Sequence, residues 1–498
     1  MATVNQTIFE YFASYAEERP DDLFLFDEER RYSVRETFHE AIAIGNHLHD
    51  LGVTEGSLVA LRCTRSLDAY LIYLALEFLG ATAVLTNPHQ GAARFLQETG
   101  LPITADLIIT NEEAGNGLAA NHDWEIPGHG PLPIGYPARK EPRRFQPGQA
   151  LHAPATIVFT SGSTGKSKGT ILSQEAMLQY AEDSIREPWH LPGDVAIVTL
   201  PTQHAFALCL LITAFVARYA LFFPRDMAAD YVLECIQHYR ITRINGVPSY
   251  MYALARANEA QPRDLRSLRT GFTAGSPIFP EQHRYIEQML DMTLHPLYGM
   301  SESISISCTS PADSPWHRAN TVGKFHRDSG CIVDKDGNEL PQGQEGEICV
   351  SGPAILLGYY GDQDATHQPI DRLGRLHTGD LGYLDEDNYL HISGRIKNVI
   401  IRNGINISPV KIEAALRSIP EVEDAAVVGV RHELLGEAPC ALVVLWDGCR
   451  MTAAALKERL LSRLIKNEIP VVIEFCSQIP ITETGKPDKK RIKELFQE

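Results

Sequence analysis

The chain has 498 residues, 44% hydrophobic and 22% charged, the make-up of a globular protein too long for one ordinary core. Its 45 Lys and Arg stand against 63 Asp and Glu, a formal charge of −18, so the surface as a whole repels nucleic acid and anionic membranes. Nine scattered cysteines without a CxxC pair or a His-rich companion exclude a disulfide framework and a zinc site; they read as reduced, buried thiols in a cytoplasmic protein.

The opening MATVNQTIFEYF lacks a basic stretch leading into an apolar one, so no secretory signal is expected. Ser33 with Glu36 predicts a capping box; Phe38, Ala41, Ile44, Leu48 and Leu51 continue at helical spacing until Gly52. A strand over Leu58–Cys63, a helix over Leu67–Leu79 and a strand over Ala81–Leu85 follow. Asn121–Pro147, rich in proline, reads as a surface connection. Further on come a strand over Val195–Leu200, a helix over Ala228–His238, a strand over Ile241–Val247 and a helix over Pro280–Leu290. Strands alternating with helices imply parallel sheets covered on both faces. Ala205–Phe223 has a membrane-like texture, but the uncharged run before Arg218 is too short for ~30 Å of hydrocarbon at 1.5 Å per residue. It predicts a buried helix and a short strand, with no membrane span. From about Gly330, short strands with turns at Asp336-Gly337 and Asp385–Asn388 suggest an antiparallel β subdomain. After Arg395 a compact α+β unit closes the chain: helix Pro409–Leu416, strands Ala425–Val430 and Ala441–Trp446, helix Thr452–Ile465.

The chemistry concentrates first in TSGSTGKSKG, Thr160–Gly169, directly after the apolar strand Ala155–Phe159. Gly162, Gly165 and Gly169 let backbone amides turn toward an anion; Ser161, Ser163 and Thr164 add donors, and Lys166 and Lys168 add charge. That set suits a polyphosphate. It is not a Walker A motif, which needs glycine at 160. No GxGxxG occurs either, so a P-loop enzyme and an NAD-dependent enzyme are both disfavoured.

This loop, followed in order by LPTQHAFAL (200–208), TAGSP (273–277), LYGMSES (297–303), GEICVSGP (346–353), LHTGDLGYLDEDNYLHISGRIKNVI (376–400), NGINISPVKIE (403–413), VEDAAVVGV (422–430) and ITETGKPDKK (481–490), resembles the ANL adenylate-forming superfamily across nearly the whole chain. The resemblance implies an α/β fold: a large N-terminal domain of two α/β subdomains plus a β subdomain, residues 1–396, and a small mobile α+β C-terminal domain, 397–498. It implies an ATP-dependent acid–thiol ligase that forms an acyl-adenylate, releases pyrophosphate and passes the acyl group to coenzyme A. The close alternative is a stand-alone enzyme loading a carrier-protein phosphopantetheine, and a different class is a catalytically silent ATP or acyl sensor.

By the same resemblance, the loop of Thr160, Ser161, Gly162, Ser163, Thr164, Gly165 and Lys168 holds the β- and γ-phosphates. Glu302 holds Mg2+, and Ser301, where threonine is common, sets a hydroxyl beside the phosphates. Tyr298, with Gly299 and Met300 beside it, stacks on adenine, with Gly275, Ser276 and Pro277 lining the other side. Asp380 accepts both ribose hydroxyls and Arg395 adds a contact. Lys486 is the adenylation lysine, bridging carboxylate and α-phosphate. For the thiol step the C-terminal domain rotates about Lys397, exchanging the Lys486 loop for the loop at Gly404, along which the pantetheine arm passes. Lys489, Lys490, Arg491 and Lys493 read as a solvated helix face, with the 3′-phosphate of CoA as the sharper alternative. His204 falls near the acyl pocket and thiol tunnel. The apolar Phe206–Cys209 segment, lacking any acidic residue to pair an ammonium, disfavours amino acids and points to a hydrophobic or aryl carboxylate. Ser303–Cys308 is expected to line part of that pocket. Ser167, Gln174 and Arg375 depart from the common proline, histidine and tryptophan, and none removes a group assigned to chemistry.

Overall fold

The computed structural model describes residues 6–62, 66–86, 104–110, 119–125, 151–160, 168–185, 189–191, 193–326, 329–362, 365–366, 368–432, 434–482 and 486–497. Among these residues the local signals behave as their chemistry dictates. Ser33 and Glu36 close the capping box of the helix Val34–Asp50: the Ser33 hydroxyl accepts from the Glu36 amide at 3.2 Å, and Glu36 accepts from the Ser33 amide at 2.8 Å. The helix Leu67–Leu79 starts on a Ser66 cap and stops at Gly80 in the left-handed region. It is apolar on every side and buried on nearly all of them, which is the behaviour of a helix inside a core rather than over it. Its tyrosine hydroxyls stay satisfied, Tyr70 donating to Ala207 O at 2.8 Å and Tyr73 lying 3.1 Å from Thr156 Oγ1.

Among the described residues, two large sheets flank these buried helices. One has seven strands in the order Gly358–Tyr359, Lys168–Ser173, Pro154–Thr160, Thr82–Leu85, Leu58–Arg62, Thr104–Thr110 and Ala119–Glu125; the last five run parallel. The other has nine. Its strands Thr293–Met300, Thr270–Thr273, Arg243–Gly246, Val195–Ile197, Ala220–Phe222 and Leu23–Phe26 run parallel, with antiparallel neighbours at both ends. The largest core cluster joins both sheets through the helices Leu67–Leu79, Gln174–Ser184 and Ala205–Ala217. A second cluster covers the far face of the nine-stranded sheet with Val232, Leu233, Met251, Leu254 and Ile286. Four antiparallel strands, Gly330–Val333, Gly346–Val350, Leu376–Leu384 and Leu390–Arg395, form the β subdomain; a five-stranded sheet with its own core builds the C-terminal unit.

The α/β class expected from the sequence is the one observed. The membrane-like stretch is a 13-residue buried helix, Ala205–Ala217, followed by the strand Ala220–Phe222, and no helix among the described residues is long and apolar enough to cross a membrane. Two expectations need correction. The connection expected from Asn121 begins inside a strand, Ala119–Glu125, which pairs with Thr104–Thr110; residues 126–150 lie outside the described ones. The helix expected over Thr452–Ile465 ends at Leu460.

Candidate active site

The parallel strands of the nine-stranded sheet deliver their C-terminal ends to one edge, where open α/β sheets bind ligands. Thr270–Thr273 leads into Gly275, which sits at φ +90 in a conformation that favours glycine. Thr293–Met300 turns back as Ser303–Cys308 through the two-residue turn Ser301-Glu302, which lifts Ser301 and Glu302 to the rim. Gly299 makes that hairpin possible, since a Cβ there would stand 2.1 Å from Ile304 O. Tyr298, one residue earlier, is buried in the β subdomain core.

Tyr298 donates its hydroxyl to Asp380 Oδ2 at 2.8 Å, and Arg395 Nε contacts Asp380 Oδ1 at 2.8 Å, from directly opposite positions on neighbouring strands. The Asp380 amide donates to Thr378 Oγ1 at 3.1 Å. The carboxylate is 3% exposed, so its position is set before any ligand arrives. Burial, then the Asp380 charge, pushes the Tyr298 phenol well above its ordinary range.

Glu302 is fixed by a residue the sequence reading did not single out. Tyr359 donates its hydroxyl to Glu302 Oε1 at 2.8 Å, and the Lys168 ammonium lies 4.6 Å from the centre of the Tyr359 ring. Tyr359 thus joins the carboxylate of one motif to Lys168, the residue that follows the 161–167 segment of another. Burial, followed by the Glu302 charge, raises its phenol. Residues 161–167, which hold Ser161, Gly162, Ser163, Thr164, Gly165 and Lys166, lie outside the described ones; Thr160 ends the strand before them and pairs with Lys168.

From the C-terminal unit, the loop carrying Lys486 folds back on itself. The Thr482 amide donates to Lys486 O at 2.7 Å, and Ile481 pairs with Pro487. Lys486 Cε comes within 3.8 Å of the space a Gly275 side chain would fill. Lys486 is exposed as a residue, yet burial of its ammonium and then the Arg395 charge hold it below the ordinary lysine range, against the pull of Asp380. Lys397 is lowered in the same way, by burial and then Arg395. His204, the residue before the helix Ala205–Ala217, is pushed down to about 4 by burial and by the Lys486 charge, so it is neutral at neutral pH. Lys486, Arg395, Asp380, His204 and Gly275 therefore meet in one cleft. Gly404 does not join them: it occupies an exposed turn at φ +76 with open space beside it. Lys489 is occupied by Glu413 and Val427 O rather than solvated, whereas Lys490 and Arg491 are exposed.

Fixed carboxylates and neighbouring cations, from a large α/β domain and a small C-terminal one, share this cleft. The AMP-binding enzyme family matches residues 12–360, and the AMP-binding enzyme C-terminal domain matches 411–486. The chain belongs to this AMP-binding family. It is 30% identical to a sulfoacetate–CoA ligase of Cupriavidus necator over 82% of this chain and 77% of that one. It is 28% identical to a 2-succinylbenzoate–CoA ligase of Bacillus cereus over 96% of each. In fold it is similar to ATP-bound MatB from Rhodopseudomonas palustris (TM-score 0.88, 24% identity, 99% of each chain). It is also similar to the Bacillus subtilis o-succinylbenzoate CoA synthetase with its acyl-adenylate (TM-score 0.82, 23% identity, 97% of each chain). ATP-dependent ligation of a carboxylic acid to coenzyme A through an acyl-adenylate is the activity of this chain.

Proposed function

We propose that the cleft carries out adenylation in the arrangement described here and that Lys486 is its catalytic cation. Carboxylate and ATP are both anionic, so the first obstacle is their mutual repulsion. The Lys486 ammonium, a flexible point charge over Gly275, bridges a substrate carboxylate oxygen and the α-phosphate, and stabilises charge building there while pyrophosphate departs. Asp380 accepts the ribose hydroxyls; two carboxylate oxygens offer about four lone-pair sites, enough for Tyr298, Arg395 and the sugar together. Tyr298, with Gly299 and Met300 beside it, and Gly275, Ser276 and Pro277 opposite, bound the adenine. Residues 160–168 receive the β- and γ-phosphates, and Ser301 contributes a hydroxyl on that side.

Glu302 fits a magnesium ion. It is a hard carboxylate at the rim with its Oε1 orientation fixed by Tyr359, and Mg2+ binds through one or two carboxylates plus substrate phosphates. When bound, the ion would neutralise phosphate charge. The thiol step uses a second arrangement: residues 397–498 rotate about Lys397, and Gly404 comes to the cleft in place of Lys486. Loading of a carrier protein, the alternative acceptor, is not favoured, because the curated relatives are CoA ligases. Free thiols at all eight described cysteines support a cytoplasmic setting.

The observation that carries this reading is the convergence of Lys486 with Asp380, Arg395 and Gly275. The test gives the protein ATP, Mg2+ and a panel of hydrophobic, aryl and acidic carboxylates, and follows acyl-AMP and, after CoA is added, the thioester by mass. Thioester without any detectable acyl-AMP in the CoA-free arm would refute the two-step course.

A further inference from the structure

The antiparallel strands of the β subdomain gather reactive side chains that lie far apart in the chain. Cys331, Cys349 and His377 stand directly opposite one another on three neighbouring strands. Ile332, Ile348, Val350 and Leu376 belong to the subdomain core, so strand alternation sets Cys331, Cys349 and His377 on the other face. Glu347, two residues before Cys349, joins them there. The Cys349 thiol, a ring nitrogen of His377 and a carboxylate oxygen of Glu347 all lie within 4.8 Å of one another. Cys349 is fully buried, whereas the His377 and Glu347 side chains keep 27% and 21% of their exposure. The group therefore has a buried floor and one side open to solvent.

Each of these groups is oriented from behind. His377 Nδ1 lies 2.7 Å from Glu347 Oε2, and its Nε2 faces Asp371 Oδ2 at 3.5 Å. Asp371 is held in turn by Arg375 Nε at 2.7 Å and by the amides of Leu373 and Arg375 at 2.8 and 2.9 Å. A pairing irregularity between Glu347 and Cys349 brings the Gly379 amide to Glu347 Oε1 at 3.0 Å. A histidine that ligates a metal through one nitrogen characteristically donates its other N–H to a carboxylate, and a ligating carboxylate is itself hydrogen-bonded. Both of those outer partners are in place. Three carboxylates, Glu347, Asp371 and Glu339, stand about the two thiols against one guanidinium, that of Arg375, and such a field draws a cation.

We propose that Cys349 Sγ, His377 Nδ1 and Glu347 Oε2 bind one thiophilic divalent cation, Zn2+, with solvent in its fourth position. Thiolate, imidazole and carboxylate are all zinc ligands, and three protein ligands with an open fourth position are a recurring zinc arrangement. Mg2+ prefers oxygen ligands alone, so this site is chemically distinct from Glu302. Two zinc bonds of ~2.0–2.1 Å at a tetrahedral angle set nitrogen and oxygen ~3.3 Å apart, so Glu347 Oε2 withdraws by about 0.6 Å from its present 2.7 Å. Burial, then the Glu347 charge, pushes the Cys349 thiol up to about 12; its proton passes to solvent as the sulfur–zinc bond forms. No local spacing announces the group. Glu347 and His377 are 30 residues apart and only strand pairing unites them, which is why the cysteine pattern pointed away from a zinc site.

The experiment takes the full chain, stripped of metal by a chelator and free of ATP and of any polyhistidine tag, and titrates it with Zn2+ and with Co2+ against a competing chromophoric chelator. About one Zn2+ per chain is expected, with release of the thiol proton and a rise in melting temperature. Co2+ should give the visible bands of a tetrahedral site and a thiolate-to-cobalt charge-transfer band in the near ultraviolet, which the thiol-free surroundings of Glu302 do not supply. Asp371→Asn should weaken Zn2+ binding by about 10- to 100-fold, and Cys349→Ser, His377→Gln and Glu347→Gln by more, with the charge-transfer band lost in Cys349→Ser. Wild-type protein that binds no Zn2+ in competition, or shows no charge-transfer band with Co2+, overturns the proposal without recourse to any variant. Unchanged affinity in His377→Gln and Glu347→Gln, both melting as wild type without metal, also overturns it, since that is capture by a thiol alone.

Discussion

Removing one hydroxyl, in Tyr359→Phe, tests how the rim is held together. The hydroxyl donates to Glu302 Oε1 at 2.8 Å, while the ring lies 4.6 Å from the Lys168 ammonium; the phenylalanine loses the first contact and keeps the second. A hydrogen bond to a charged group is worth about 1.5–3 kcal/mol, which corresponds to about 10- to 100-fold in rate. Glu302 sits at a partly solvated rim, where water replaces some of the lost donor, so the lower half of that range is expected. Acid-dependent pyrophosphate–ATP exchange should fall by about 10- to 30-fold, with a matching rise in the Mg2+ concentration for half-maximal rate. Tyr359→Leu should fall a few-fold further, because the cation–π contact goes as well. Unchanged exchange and unchanged Mg2+ dependence in Tyr359→Phe, with native melting, would refute the claim that Tyr359 positions Glu302.

Other consequences follow from the same geometry. Gly299→Ala brings a methyl group toward Ile304 O, so the hairpin must shift; a loss of about 1–3 kcal/mol in chemical denaturation and weaker exchange are expected. Lys486 acts as an ammonium with a lowered pKa, so the alkaline limb of adenylation should fall below the ordinary lysine value of 10.5, and Lys486→Arg should move it upward. Glu77, buried beside Gln174 and Tyr73, is pushed up to about 8 by burial from an ordinary 4.5. Between those values the unfolded chain releases a proton that the folded one keeps, so this group weakens stability as pH rises from about 4.5 to 8. Glu77→Gln should therefore raise the melting temperature more at pH 8 than at pH 5, as read by calorimetry.

Elements whose signals are local were legible in the sequence. The Ser33–Glu36 box and the helices Leu67–Leu79 and Pro280–Leu290 emerge with the expected bounds, because caps, glycine stops and apolar periodicity lie within a few residues of each other. The strand Ala119–Glu125 carries Asn, His, Asp and Glu and is held by pairing along Thr104–Thr110, a partner that no periodicity inside AANHDWE announces. The site divides in the same way. Asp380, Arg395, Glu302 and Lys486 stood out because each sits in a recognisable motif. Tyr359 did not, since its meaning lies in Glu302, 57 residues earlier, and in Lys168 on a neighbouring strand.

Separating the two half-reactions in Lys486→Ala tests the proposed mechanism most directly. Exchange of pyrophosphate into ATP should drop by about 100- to 1,000-fold, the scale of losing one preorganised charge at the reacting centre, while transfer from a supplied acyl-adenylate to CoA stays near the wild-type rate. Equal loss of both steps, or exchange that survives without the ammonium, would show that the cation over Gly275 is not what lets two anions meet.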